Sequence, residues 1–323
     1  MLSCFKIVSV ATLLPGLLLE LSGASDSQDP AIIVKQAQEM VRAGRRDEAI
    51  AELDRSLRVN PDHAPTCELM GILLALEGRD KEALDYLRQA VRIWPDHPVY
   101  SINLGILYLR RSQVPDAEET FRQSLGLEPT PTAYHLLGII RLDQNRGEEA
   151  VSFLKKSLEL SPNDARAWYY LGLAHHSLAQ NDAALSCYQE ALRRSPRDSY
   201  VHFQLGILYL TRGLRKQALD HLQIAKETRP NAPEVHQRLT QAYLASGEFA
   251  AALESARRAV ELSPNDRQAH YQLALALARL GKTEESTKEF QISEGLPKKG
   301  EPSPLEAWRK MFDRAWGPSA AKP

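Results

Sequence analysis

The sequence predicts an all-α solenoid of about eight stacked helix pairs, closed by one further C-terminal helix. Three observations predict it. One period of about 34 residues runs through most of the 323-residue chain. Each period holds two stretches of helical apolar spacing, parted by a small residue and closed by a proline. The composition is globular, 43% apolar and 25% charged, yet the chain is too long for one ordinary compact core. An array that grows by stacking removes that conflict.

The first element is not part of the array. In residues 1–24, Lys6 precedes an apolar run from Ile7 to Leu19, broken at Pro15-Gly16, and Ser22-Gly23-Ala24 follows. Charge, apolar stretch and small residues in that order predict a secretory signal peptide. The run is short for a membrane span, so no stable span is expected after cleavage, and a membrane anchor if the segment is retained. Residues 25–29 read as a polar linker.

The array itself covers residues 30–297. Small residues recur at Ala37, Gly71, Gly105, Gly138, Gly172, Gly206, Thr240 and Ala274, in steps of 34 with a single step of 33. Twelve residues on from each comes Ala49, Ala83, Ala117, Ala150, Ala184, Ala218, Ala252 and Ser286. A proline series shares the period: Pro61, Pro95, Pro129, Pro162, Pro196, Pro230 and Pro264. In each unit a first helix ends near a residue such as Gly44, Gly78, Gly213, Gly247 or Gly281, which suits a helix C-terminus. A second helix follows, with Ala184, Tyr188 and Ala191 on one face in the fifth unit. The proline stops it, lacking an N–H and clashing with the turn before it. Asp62, Asp96, Asp164, Asp198 and Asp266 stand where they can cap the next helix.

The fifth unit reads Trp168, Leu171, Gly172, His175, Ala184, Tyr188, Pro196, and the third Leu104, Gly105, Tyr108, Ala117, Phe121, Pro129. Here the chain resembles the tetratricopeptide repeat family, whose pattern is W-x2-L-G-x2-Y, then A-x3-F, then P. The resemblance spans eight units and implies a right-handed superhelix. The end units are degenerate, with Gln36 in the first and Ser286 in the eighth. The short step falls in Glu128-Pro129-Thr130-Pro131, where a local change of curvature is expected.

In this family the first helices line a concave groove, and positions two, five, nine and twelve of each repeat make the contacts. Carried onto this sequence, position nine gives Ile72, Ile106, Ile139, Leu173 and Ile207. Position five gives Ile102, His135, Tyr169 and Phe203. Position twelve gives Leu109, Leu142, His176 and Leu210, and position two adds Val99 and Tyr200. An apolar, partly aromatic strip of that size marks an interaction site for an apolar or amphipathic segment, such as a helix. The same residues can also pack between neighbouring first helices. The Lys and Asn of the family's carboxylate clamp are missing: Ile102, Ile106, Tyr169 and Leu173 stand in their slots.

After a linker at 298–302, Ser303-Pro304-Leu305-Glu306 is a helix start with a Ser cap, Pro at the first position and Glu at the third. Leu305, Trp308, Phe312, Ala315 and Trp316 share one face of a helix over 303–317, and 318–323 form a tail. Capping of repeat eight is the plain expectation for it, and docking into an apolar groove the sharper one.

Lys+Arg at 40 against Asp+Glu at 41 argues against a nucleic-acid binder, which needs a basic surface. Cys67 and Cys187 lack a CxxC context and read as buried small hydrophobes. His202, His236 and His270 recur at position four, in the slot of the family's Trp. Neighbouring helices lie ~8–10 Å apart, so equivalent positions are poorly placed to converge on one metal. No phosphate loop, nucleophile elbow or HExxH is present. The expectation is an exported, non-catalytic, cofactor-free scaffold, periplasmic or secreted, that binds a protein or peptide partner. The alternative is a holding chaperone or assembly factor for exported proteins.

Overall fold

The computed structural model describes residues 29–297 and 303–316, with side chains as far as Met311. The segment 1–24 expected to be a signal peptide, most of the 25–29 linker, the 298–302 linker, the tail and the side chains of Phe312, Ala315 and Trp316 lie outside the described residues. Seventeen α-helices and no strand are formed among the described residues. They fall into two units.

The first unit holds α1 (Pro30–Arg42), α2 (Arg46–Val59), α3 (Ala64–Leu76), α4 (Asp80–Ile93), α5 (Pro98–Arg110), α6 (Val114–Leu127), α7 (Pro131–Asp143) and α17 (Pro304–Trp316). The second holds α8 (Gly147–Leu160), α9 (Ala165–Ser177), α10 (Asn181–Arg194), α11 (Ser199–Thr211), α12 (Arg215–Thr228), α13 (Pro233–Ser246), α14 (Phe249–Leu262), α15 (Arg267–Arg279) and α16 (Thr283–Gly295). Within each unit consecutive helices pack as antiparallel neighbours, and first helices also touch first helices, as in α3 against α5 and α13 against α15.

The small residues of the period are where paired helices meet most closely. A Cβ on Gly105 would lie 2.5 Å from Cε1 of Phe121, and one on Gly206 would lie 2.5 Å from Cγ of Leu222. Gly71 faces Leu87 and Gly172 faces Tyr188 in the same way. The first-helix glycine therefore makes room for the large residue four places after the second-helix alanine.

Each first helix ends in a left-handed residue that satisfies late carbonyls. Gly44, Gly78, Gly213, Gly247 and Gly281 have φ between 73° and 79°. Ser112, Asn145 and Ala179 take that place in the middle repeats, at φ 63°, 58° and 56°. A side chain there costs about 1–2 kcal/mol, least for Asn.

Capping follows the aspartates only in part. The carboxylates of Asp164, Asp198 and Asp266 accept from the second or third backbone N–H of α9, α11 and α15. Asp29 does so for α1. Asp62 and Asp96 are not caps: His63 and His97 occupy the cap position of α3 and α5. A cap must immediately precede the first helical residue, and these two aspartates sit one place too early.

The short step of the period is absorbed outside the helices. α6 keeps 14 residues and α7 keeps 13, as in the neighbouring pairs. Only residues 128–130 join them, where 60–63 and 94–97 serve at the two preceding junctions. An ion pair with a buried arginine crosses this short junction. Arg141, 1% exposed, donates from both terminal nitrogens to Glu118 at 2.9 and 2.6 Å, and to Gln144 at 2.8 Å. That hydrogen bond holds the Glu118 carboxyl below the usual carboxylate range. Arg141 stands where the third repeat has Tyr108 and the seventh Tyr243. Those hydroxyls also reach the preceding second helix, accepting from Arg88 and Gln223.

Candidate protein-interaction faces

Position four is structural in every repeat where its bond is seen. Trp168 donates its indole N–H to the carbonyl of Pro162 at 3.0 Å. His202, His236 and His270 place Nε2 on the carbonyls of Pro196, Pro230 and Pro264 at 3.0, 2.9 and 2.9 Å. Histidine thus replaces tryptophan by keeping its N–H, tying the first helix to the proline carbonyl six residues earlier. In two of them the second nitrogen goes to a protein group as well: His202 Nδ1 lies 2.8 Å from Nδ1 of His221, and His270 Nδ1 lies 2.6 Å from Glu289. Among the described residues no group of three or more His, Cys, Asp or Glu is placed to hold a metal. Cys67 and Cys187 are buried free thiols, both pushed up to about 11 by burial, which makes them poor nucleophiles.

The groove positions divide by repeat. In α5 and α7, Ile102, Leu109, Ile139 and Leu142 are buried, at 2%, 0%, 0% and 5% exposure. Val99, Ile106 and His135 beside them, and Ile72 on α3, are half-buried. In the second unit Tyr169 is buried, while Leu173, His176, Tyr200, Phe203, Ile207 and Leu210 are half-buried. Phe203 and Leu210 pack against the cluster around Val235 and Leu239, so these two serve helix packing as well as the surface. The Arg229 guanidinium lies 4.4 Å from the centre of the Tyr200 ring and pairs with Glu234.

Helix α17 occupies the first-helix face of the first unit. It packs on α7, which corrects the expectation that it covers repeat eight. Its N-terminus carries the predicted reciprocal cap: Glu306 N–H donates to Ser303 Oγ at 3.2 Å, and Ser303 N–H to Glu306 Oε2 at 3.3 Å. The Asp143 carboxylate, at the end of α7, accepts from Leu305 N–H at 3.2 Å. Arg309 Nε donates to the Leu109 carbonyl, in the last turn of α5, at 2.8 Å. Both contacts set charge against the favourable end of a helix dipole. Leu305 and Trp308 are buried at 2% and 8% exposure, while Glu306 and Lys310 face outward.

In the same unit, Ile72 of α3 and Ile106 of α5 line an apolar recess of about 40 Å³ rimmed by Asn103 and Arg110. Arg110 is held by Asp80 at 2.7 Å and by the Ala75 carbonyl. Asn103 donates to Glu68 at 2.6 Å. Burial pushes the Glu68 carboxyl up to about 7, against the Asn103 hydrogen bond, which lowers it. Stepping the position-five series back 34 residues from Ile102 finds Glu68 in the sequence. Asp143 and Arg309 leave no such periodic trace.

The match to known families decides the identity. Tetratricopeptide repeat family models match residues 129–197 in one case and 34–98, 177–233 and 238–294 in another. The chain belongs to the tetratricopeptide repeat family. Tetratricopeptide repeats are protein-interaction scaffolds and are generally non-catalytic. Among solved structures, the chain is similar to the Cut9–Hcn1 hetero-tetramer of the APC/C at 18% identity, covering 89% of this chain and 56% of that one, with a TM-score of 0.60. Similarity to Pseudomonas aeruginosa pilF is 17% identity over 64% of this chain and 94% of that one, TM-score 0.59. MamA of Desulfovibrio magneticus RS-1 follows at 22% identity, covering 51% and 94%, TM-score 0.48. No curated protein matches. These likenesses concern the fold. Among the described residues, no tetratricopeptide repeat helix or other helix is long and apolar enough to cross a membrane.

Proposed function

We propose that this chain is an exported, non-catalytic scaffold that holds an amphipathic helix of a partner protein on its apolar first-helix faces. The observation that carries the reading is α17. It is itself an amphipathic helix, held on such a face by two buried apolar side chains and two polar contacts to helix ends. Burying a leucine and a tryptophan supplies roughly 1.5–3 kcal/mol each, and the polar contacts fix direction.

The side chains within a partner's reach are the half-buried ones: Ile72 and Ile106 in the first unit, Leu173 and Ile207 in the second. The fully buried Ile102 and Ile139 serve packing. The test is calorimetric titration of the full chain with amphipathic helical peptides and with extended peptides ending in acidic residues. Helical peptides bind, acidic tails do not, and the pair Leu173→Glu with Ile207→Glu abolishes binding at unchanged helicity. Unimpaired binding by that pair and by Ile72→Glu with Ile106→Glu sinks the reading.

The rival reading, a holding chaperone, expects equal suppression of aggregation for many unrelated unfolded clients. A scaffold discriminates among them. Export rests on the order of charge, apolar run and small residues in 1–24. N-terminal sequencing of the mature protein checks it: a start at or near Ser25 supports cleavage, a start at Met1 refutes it.

A further inference from the structure

We infer that α17 is a resident ligand of the face formed by α5 and α7, and that the partner of this face is a helix of the same chemistry that must displace it. The inference rests on the proposed helix-binding role and specifies its ligand.

Three features of the seat define what fits. The first is polarity. Asp143 meets the N-terminal turn of the bound helix through Leu305 N–H, at 3.2 Å. A helix presents unsatisfied N–H groups and partial positive charge only at that end, so one direction is accepted. The second is an apolar pair three residues apart. Leu305 and Trp308 are buried against a face whose own Leu109, Ile139 and Leu142 are buried too. The third is a cation. Arg309, next after the tryptophan, donates to the Leu109 carbonyl at 2.8 Å, where the C-terminus of α5 gathers partial negative charge. The matching ligand is an amphipathic helix that opens with its own Ser or Thr cap. It carries a large apolar residue at its second position, an aromatic at its fifth and an arginine at its sixth.

Occupancy in cis has a measurable consequence. A ligand that must displace a resident helix has its affinity reduced by the fraction of time the seat is free. The probe is a labelled synthetic peptide of residues 303–316, titrated into full-length protein. Arg309→Ala in the chain, which leaves the buried pair in place, is expected to raise peptide affinity several-fold. Leu305→Asp with Trp308→Ala is expected to raise it at least about tenfold, with helicity of the array retained. Adding Asp143→Ala to that double variant lowers it again about tenfold, and a peptide of reversed sequence does not bind.

The failures separate. Equal affinity for the wild-type chain and both loosened variants overturns displacement while leaving helix binding intact. Tight binding that ignores Asp143→Ala and peptide direction overturns the seat. No binding to any folded variant, together with no binding of other amphipathic helices, overturns the scaffold reading as well.

Discussion

The two units carry the same kind of face in different states. In α5 and α7, Ile102, Leu109, Ile139 and Leu142 are buried and Val99 and Ile106 half-buried, with α17 laid on α7 and its Leu305 and Trp308 covered. In α9 and α11 the equivalent Leu173, His176, Ile207 and Leu210 remain half-buried. The residue types differ little: Ile139 and Ile207 occupy the same repeat position. Position in a repeat therefore marks a residue as able to bind, and the rest of the chain decides whether it is available. The polar groups differ as well. The first unit has a buried Arg141 paired with Glu118 at its shortened junction and a carboxyl, Glu68, whose charge is resisted by burial. The second relies on histidines bound to proline carbonyls.

The largest expected effect breaks the first unit alone. Arg141→Ala removes a buried side chain and its bonds to Glu118 and Gln144, leaving Glu118 paired with Arg122, and is expected to cost about 2–4 kcal/mol in denaturant unfolding. Replacing both, as Arg141→Met with Glu118→Leu, recovers most of that loss, because an apolar pair of similar volume needs no desolvation. Gly105→Ala forces the new Cβ against Phe121 and is expected to cost about 1–3 kcal/mol, read from the shift of the unfolding midpoint.

Acid–base behaviour sharpens the contrast. The folded value of Glu68, about 7, lies above its ordinary 4.5. Between those values the native chain holds a proton that the unfolded chain has released, so stability falls as pH rises through that window. Glu68→Gln should remove this slope and stabilise the protein above pH 7 by on the order of 1–3 kcal/mol. In the second unit burial, then the neighbouring His202, hold His221 below its ordinary 6.5. There the unfolded chain takes up the proton first, so stability is lost as pH falls from 6.5. His221→Gln should weaken that loss, and thermal unfolding across pH 4–8 measures both slopes.

The smallest effect concerns the left-handed helix ends. Ala179→Gly and Ser112→Gly should each stabilise by roughly 1 kcal/mol, one in each unit, and Asn145→Gly by less. Thermal shifts that are absent or negative at Ala179 would show that the strain is relieved elsewhere.

Much of the fold was legible. The glycine and alanine series marks where helix pairs touch, because only a small residue leaves room for Phe121 or Leu222 opposite. Position four reads as packing, and the proline carbonyl explains why histidine can serve there. The groove list was legible as a set of positions but not as a surface, since Ile102 and Ile106, one turn apart, differ in burial. Asp62 and Asp96 misled, because they stand one place after the repeat's proline, where Asp164, Asp198 and Asp266 stand two places after it, and all five helices begin three places after it.

The sequence by itself determined the repeat: its period, its two helices, its glycine turns and the capped start of α17. Those depend on residues within about one period of each other, so the pattern that causes them is written locally. Only the tertiary structure decided that Leu305 meets Asp143, 162 residues away, and that Arg309 meets Leu109, 200 away. Such contacts arise from the shape of a folded face and the closure of a long stretch of chain, and neither leaves a spacing to read.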